Sequence, residues 1–182
     1  MNLMALSGSL RKQSLNTRLL QALQRVSAQP IEMELATLHG IPLYDGDLEA
    51  REGIPEAVNR LREQIQSSNG VIIAMPEYNG GMPGVLKNAL DWLTRPPSEM
   101  APTFFNRPLA LCGATPGGLG TALAQSGSLT VLRQLKVQLF PEHLRVSRAH
   151  EALSSIEALD DSFHAQLHQW LESYASFIRQ AA

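Results

Sequence analysis

One cysteine, Cys112, stands in the 182 residues, so no internal disulfide braces the chain. Aromatic residues make up only 5% and charged residues only 18%, while 44% hydrophobic residues provide for a core without covalent or metal staples. Charge of either sign is nearly absent in the balance: 15 basic against 17 acidic side chains leave a formal charge of −2. That excludes the strong positive field of a basic-patch nucleic-acid binder or of a protein drawn to an anionic membrane. Long apolar runs are missing as well. The stretch VIIAM, Val71 to Met75, is among the longest, far below the roughly 20 residues a membrane-spanning helix needs. The start MNLMALSGSLRKQS has no basic region ahead of its short apolar run, which predicts a cytoplasmic protein without a secretory signal.

What is present is alternation of short β-like runs with longer helical stretches, the pattern of an α/β domain with a parallel sheet. Five units are expected. Strand one covers Asn2 to Leu6, and a helix from about Leu15 to Ser27 places Leu19, Leu20, Leu23 and Val26 on one face. Strand two, Ile31 to Leu38, alternates apolar with acidic residues and reads as an edge; VIIAM and LALC, Leu109 to Cys112, are apolar on both sides and read as central. The segment Ile41 to Pro55 carries turn signals and is expected to be a long loop, with Pro55 in the first turn of a following helix that uses Val58, Leu61 and Ile65. A third helix carries Val85, Leu86, Ala89, Leu90, Trp92 and Leu93 over an arc of roughly 160°. Its width suits either a partner subunit or deep burial within one chain. Strand five is expected at Val137 to Phe140, and a last helix at Leu159 to Arg179 with Phe163, Leu167, Trp170, Leu171, Tyr174, Phe177 and Ile178 as its stripe. No repeat or linker divides residues 1–182, which predicts one domain with strand order 2-1-3-4-5.

In such a sheet ligands bind beyond the carboxyl ends of the strands where the order reverses, so the loops after strands one, three and four carry the information. The first, SGSLRKQSLN, offers hydroxyls at Ser9 and Ser14, the guanidinium of Arg11, the amide of Asn16 and N–H groups at a helix N-terminus. A phosphate would be satisfied there, although an ordinary turn capped by Ser14 is the alternative. Neither G-x-G-x-x-G nor a Walker P-loop follows strand one, which favours a mononucleotide over a dinucleotide. The second loop, PEYNGGMPG, is backbone shaped by glycine and proline beside Tyr78, suited to a flat heterocycle; the third, GATPGGLGT, is again glycine-rich.

GSLRKQSLN followed by PEYNGGMPGVLKNALDWLTR resembles the NADPH-dependent FMN reductase family of flavodoxin-like flavoenzymes, which includes quinone and chromate reductases. The resemblance extends over essentially the whole chain, and implies a three-layer fold with FMN as cofactor and NADPH or NADH as co-substrate. It implies that Ser9, Arg11, Ser14 and Asn16 hold the FMN phosphate. Pro76, Glu77, Tyr78, Asn79 and Gly80 would border the isoalloxazine ring, with Thr115, Gly117 and Gly118 on its other side. The segment around Pro116 departs from the arginine-containing loop common in the family. The implied activity is a ping-pong reduction of a small acceptor such as a quinone, free flavin or chromate by a homodimer or homotetramer. The competing class is a flavodoxin-like electron carrier, against which the small net charge and the absence of T-x-T-G-x-T both argue.

No side chain is assigned an acid, base or nucleophile role, since hydride chemistry belongs to the cofactor. Cys112 lacks the arginine soon after it that a phosphatase thiolate needs, and reads as a small buried hydrophobe. Asp161, His164 and His168 share a helix flank but have no remote fourth ligand, so no metal site is expected. The locally basic HLRVSRAH, His143 to His150, offers charge to a phosphate-bearing substrate, though a solvated surface is the commoner reading of such a segment.

Overall fold

The computed structural model describes residues 1–181. Its strands are β1 (Asn2–Ser7), β2 (Glu32–Ala36), β3 (Gly70–Ala74), β4 (Pro108–Ala114), β5 (Gln138–Leu139) and β6 (Leu144–Val146). Its helices are α1 (Leu15–Val26), α2 (Gly46–Glu52), α3 (Glu56–Ser67), α4 (Gly84–Leu93), α5 (Met100–Phe104), α6 (Ala122–Gly127), α7 (Leu129–Gln134), α8 (Ala149–Ala152) and α9 (Asp161–Ala181). All strand pairs are parallel, in the order β2-β1-β3-β4, with β5 and β6 both pairing with β4. The flavodoxin-like order expected from the sequence is therefore present.

Alternation along the strands sends side chains to two separate cores. Leu3, Ala5, Ile72, Ala74, Ala110 and Cys112 meet α1 and α9 on one face, where Leu19, Leu20, Leu23, Leu171 and Tyr174 are buried. Met4, Leu6, Val71, Ile73, Leu109 and Leu111 meet α3 and α4 on the other. Three layers result. Tyr174 ties α9 to the sheet, its hydroxyl donating toward the carbonyls of Val71 and Pro108, each at 2.9 Å. Burial pushes the pKa of that hydroxyl well above the usual phenol range. Cys112 is completely buried, and its thiol is pushed up in the same way, so it packs as a hydrophobe.

Four expectations need correction. The fifth strand lies where expected but is shorter than Val137–Phe140, with β5 opposite Pro108 and Leu109, and a further strand, β6, continues the same edge opposite Cys112, Gly113 and Ala114. Pro141 falls between them, where a missing N–H breaks the ladder. HLRVSRAH thus contains a strand whose Leu144 and Val146 are buried, while Arg145, Ser147, Arg148 and His150 are exposed. The segment Ile41–Pro55 is not loop throughout, because Asp45 caps α2 by accepting from the N–H of Asp47 at 2.9 Å. Pro55 stands at the N-cap of α3 rather than inside its first turn. Helices α5 to α8 carry too few apolar repeats to register in the sequence pattern.

The broad stripe of α4 is buried within the chain. Leu86, Ala89, Leu90, Trp92 and Leu93 are all at most 2% exposed. The segment before α2 covers the extra width: Trp92 Nε1 donates to the Pro42 carbonyl at 2.9 Å, and Tyr44 meets the indole edge to face at 4.9 Å. Arg95 Nε donates to both carboxylate oxygens of Glu49, at 3.1 and 2.8 Å, and this bond holds the Glu49 carboxyl below its ordinary range.

Candidate functional site

The carboxyl ends of β1, β3 and β4 converge on a cleft of about 270 Å³ lined by Ser9, Arg11, Ser14, Leu15, Asn16, Pro76, Glu77, Tyr78, Ala114, Thr115 and Pro116. It lies at the point where strand order reverses between β1 and β3, as the topology requires. Larger surface hollows exist, such as one of about 500 Å³ along β2, but that one is lined by the carboxylates Glu32 and Glu34 and by no cation.

The loop Ser7–Ser14 is folded by its own hydroxyls. Ser9 Oγ accepts from the N–H of Arg11 at 3.2 Å, and Ser14 Oγ accepts from the N–H of Thr17 at 3.3 Å as the N-cap of α1. Each hydroxyl has thereby used a lone pair and keeps its proton to donate. The N–H groups of Leu15 and Asn16 open the helix and have no intrahelical acceptor. Arg11 is exposed, and among the described residues no carboxylate lies within 4 Å of it. Hydroxyl protons, orphan N–H groups and an unpaired guanidinium at one helix N-terminus form a donor set that suits a dianionic phosphate. Asn16 is more constrained than the sequence suggests. Its Nδ2 donates to the Ala114 carbonyl and its Oδ1 accepts from the Ala114 N–H, both at 3.0 Å, leaving a single amide proton for a ligand.

The second loop begins close against the first. Gly8 donates to the Ala74 carbonyl at 2.8 Å, and a Cβ there would lie 3.0 Å from both Ala74 O and Pro76 Cδ, so only glycine lets the two loops approach this far. Tyr78 and Gly81 exchange two backbone hydrogen bonds of 3.1 Å around Asn79 (φ 53°) and Gly80 (φ 74°), the Asn-Gly pair that such a two-residue turn demands. Tyr78 is left at the mouth of the cleft, 47% exposed. Glu77 points elsewhere than a ring edge alone would require: its Oε2 accepts the N–H groups of Leu123 at 2.9 Å and Ala124 at 3.0 Å. The first turn of α6 has no acidic residue of its own, so Glu77 supplies the charge its N-terminus favours.

The third loop is held from behind. Thr115 donates its N–H to Val146 O, Ala149 donates to Thr115 O, and Arg148 donates to Gly117 O, at 3.0 to 3.1 Å. Thr115 Oγ1 also accepts from the N–H of Gly117 at 3.3 Å. Beyond it, Gly120 (φ 54°) and Thr121 (φ 63°) lie in the left-handed region, and Thr121 Oγ1 accepts from Gln125 Nε2 at 2.9 Å. A β-branched residue with that φ stays there only because its surroundings hold it.

Eight of the twelve residues singled out in the sequence line the cleft: Ser9, Arg11, Ser14, Asn16, Pro76, Glu77, Tyr78 and Thr115. Asn79, Gly80, Gly117 and Gly118 belong to the same loops outside its lining. Leu15, Ala114 and Pro116 line it as well, each the direct chain neighbour of a residue already named. The walls suit a flat ring: proline and backbone from two loops, with Pro76 to Tyr78 facing Ala114 to Pro116.

Residues 1–151 match the sequence model of a family described as NADPH-dependent FMN reductase. The chain is 38% identical over 179 residues to an NAD(P)H-dependent FMN reductase of Pseudomonas aeruginosa, covering 97% of this chain and 95% of that protein. It is 33% identical over 176 residues to a 2-hydroxy-1,4-benzoquinone reductase of Burkholderia sp, covering 94% and 93%. Among solved structures, the flavoenzyme NAD(P)H:(acceptor) oxidoreductase FerB from Paracoccus denitrificans superposes with a TM-score of 0.87 at 32% identity, over 99% of this chain and 98% of that one.

Proposed function

The chain belongs to the NADPH-dependent FMN reductase family, and we propose that its three rim loops divide the work of that activity. Ser9, Arg11, Ser14, Asn16 and the first N–H groups of α1 hold the FMN phosphate. Pro76 to Gly80 border the isoalloxazine ring on one side, and Thr115, Gly117 and Gly118 on the other. The observation that carries this reading is the donor set at the α1 N-terminus, whose hydroxyl protons, orphan N–H groups and guanidinium have no internal acceptor to satisfy them. FMN, when bound, supplies the hydride-accepting and electron-donating chemistry. The protein's own share is to bind, orient and leave one open face at Tyr78, where the nicotinamide and then the acceptor enter in turn.

The protein is thus an NAD(P)H-dependent reductase and not a flavodoxin-like carrier. Relatives named for quinone reduction support quinones as acceptors, with free flavin and chromate as further candidates. No helix among the described residues is long and apolar enough to cross a membrane, and we place the enzyme in the cytoplasm. Residues 1–182 act as a single FMN-binding unit. Reduction is tested by anaerobic titration of the FMN-loaded protein with NADPH and with NADH: bleaching of the oxidised flavin spectrum is expected, and a spectrum unchanged by both would overturn the assignment.

A homodimer or homotetramer is proposed on different grounds from the α4 stripe. Leu119, Leu123 and Leu129 are 60%, 53% and 41% exposed, on and beside α6 at the cleft's rim. Light scattering of the FMN-loaded protein at micromolar concentration should give a mass at least twice that of the chain; a monomer mass rejects the oligomer.

A further inference from the structure

The basic segment His143–His150 remains outside the functions assigned so far, yet its backbone is bound to the cleft's third wall. Val146, Arg148 and Ala149 each exchange a hydrogen bond with Thr115 or Gly117, immediately beside cleft-lining Thr115 and Pro116. Arg148 is fixed there with φ at 47°, a conformation costly for a side chain other than glycine and one held by its N–H bond to Gly117. Arg145 packs against the same loop further along, its Cβ and backbone so close to Gly120 that a Cβ on Gly120 would lie 2.8 Å away. Both arginines are exposed, and among the described residues neither has a carboxylate within 4 Å. The carboxylate of Glu151 lies beside His150 instead, Oε1 to Nε2 at 3.6 Å.

Two arginines without a carboxylate partner therefore stand on the segment whose backbone is bonded to the loop that forms one wall of the cleft. We infer that Arg148 and Arg145 form an anion subsite for the 2′-phosphate of NADPH, which makes this segment the determinant of coenzyme choice. The inference rests on the reductase reading and adds to it a preference that the cleft lining alone does not give. A dinucleotide whose nicotinamide lies in the cleft must run its remaining length out over the rim, and a planar guanidinium is the side chain best matched to a phosphate met there. Ala114, Thr115 and Pro116, which line that wall, carry no charge of their own.

The test compares the FMN-loaded wild type with Arg148→Gly, Arg145→Ala and Arg148→Lys. Glycine suits φ of 47°, so Arg148→Gly removes the guanidinium without disturbing the backbone. Arg148→Gly should lower kcat/KM for NADPH about 10- to 100-fold through KM, with NADH changed less than about threefold. Arg145→Ala should act in the same direction and more weakly, and Arg148→Lys should recover part of the loss. Equilibrium binding of NADP⁺ against NAD⁺ gives a readout independent of turnover: the wild type should favour NADP⁺, and Arg148→Gly should erase that margin. Equal loss for both coenzymes, or no loss for either, overturns the inference while leaving the reductase intact. Failure of the wild type to be reduced by either coenzyme overturns the reductase reading and this inference with it.

Discussion

Gly113→Ala is expected to destabilise the protein by about 3 kcal/mol or more, lowering Tm by roughly 6–12 °C for a domain of this size. Gly113 lies in β4, and a Cβ there would overlap Thr121 Oγ1 and approach Gln125 Nε2 to 2.9 Å. Neither neighbour can withdraw. Thr121 is 1% exposed, fixed at φ 63° and bonded to Gln125, whose amide also lies 3.3 Å from Leu144 O. The added methyl must therefore push the start of α6 away from the sheet and carry the third loop with it. Thermal unfolding of the variant measures the loss, and the double variant Gly113→Ala with Thr121→Gly should recover most of it. Glycine removes the overlapping hydroxyl and is at ease with the left-handed φ. A Gly113→Ala protein as stable as the wild type would show that α6 does not bear on β4 as described.

The second large effect is expected at Glu77. Alanine there removes two charge-assisted hydrogen bonds to the first turn of α6 and frees the second loop from the third. A loss of about 2 kcal/mol in stability, with FMN binding weakened about 10-fold or more, should follow because the two walls of the cleft no longer hold a fixed separation. Glu77→Gln keeps an acceptor oxygen in the same place and should bind FMN within about threefold of the wild type. Fluorescence titration of FMN onto the apo-protein, alongside melting curves for both variants, checks the pair. Unaltered FMN affinity in Glu77→Ala would mean that the link between the loops has no part in shaping the site.

These two positions mark the limit of what the sequence discloses. Ser9, Arg11, Ser14 and Asn16 were legible because one short loop carries them all, and the helix that follows gives their spacing meaning. The central strands were legible from continuous apolar runs and the edge strand β2 from its acidic alternation. Glu77 was visible as a member of the second loop, but its bond to α6 spans 46 residues and no local pattern announces it. The same holds for Asn16, whose partner Ala114 is 98 positions away. The strand β6 was hidden for a different reason: three residues, Leu144, Arg145 and Val146, alternate as a strand should, but the run is too short to outweigh the surrounding basic residues. The covering of α4 by Pro42 and Tyr44 likewise depended on a segment whose turn signals concealed a helix.

The broken fifth strand has a consequence for the protein's behaviour at high concentration. An open sheet of this kind ends in two rows of unpaired N–H and C=O groups, each a template on which another chain can add. On the β4 side, two pieces of two and three residues separated by Pro141 leave no continuous row long enough to accept a foreign strand. At the opposite margin, Gln24 donates to the Met33 carbonyl at 2.8 Å and Glu32 and Glu34 are exposed, so that row is partly occupied and charged. Both margins of the sheet thus resist fibrillar stacking, and the irregularity that obscured the last strand in the sequence helps keep the folded protein from growing into aggregates.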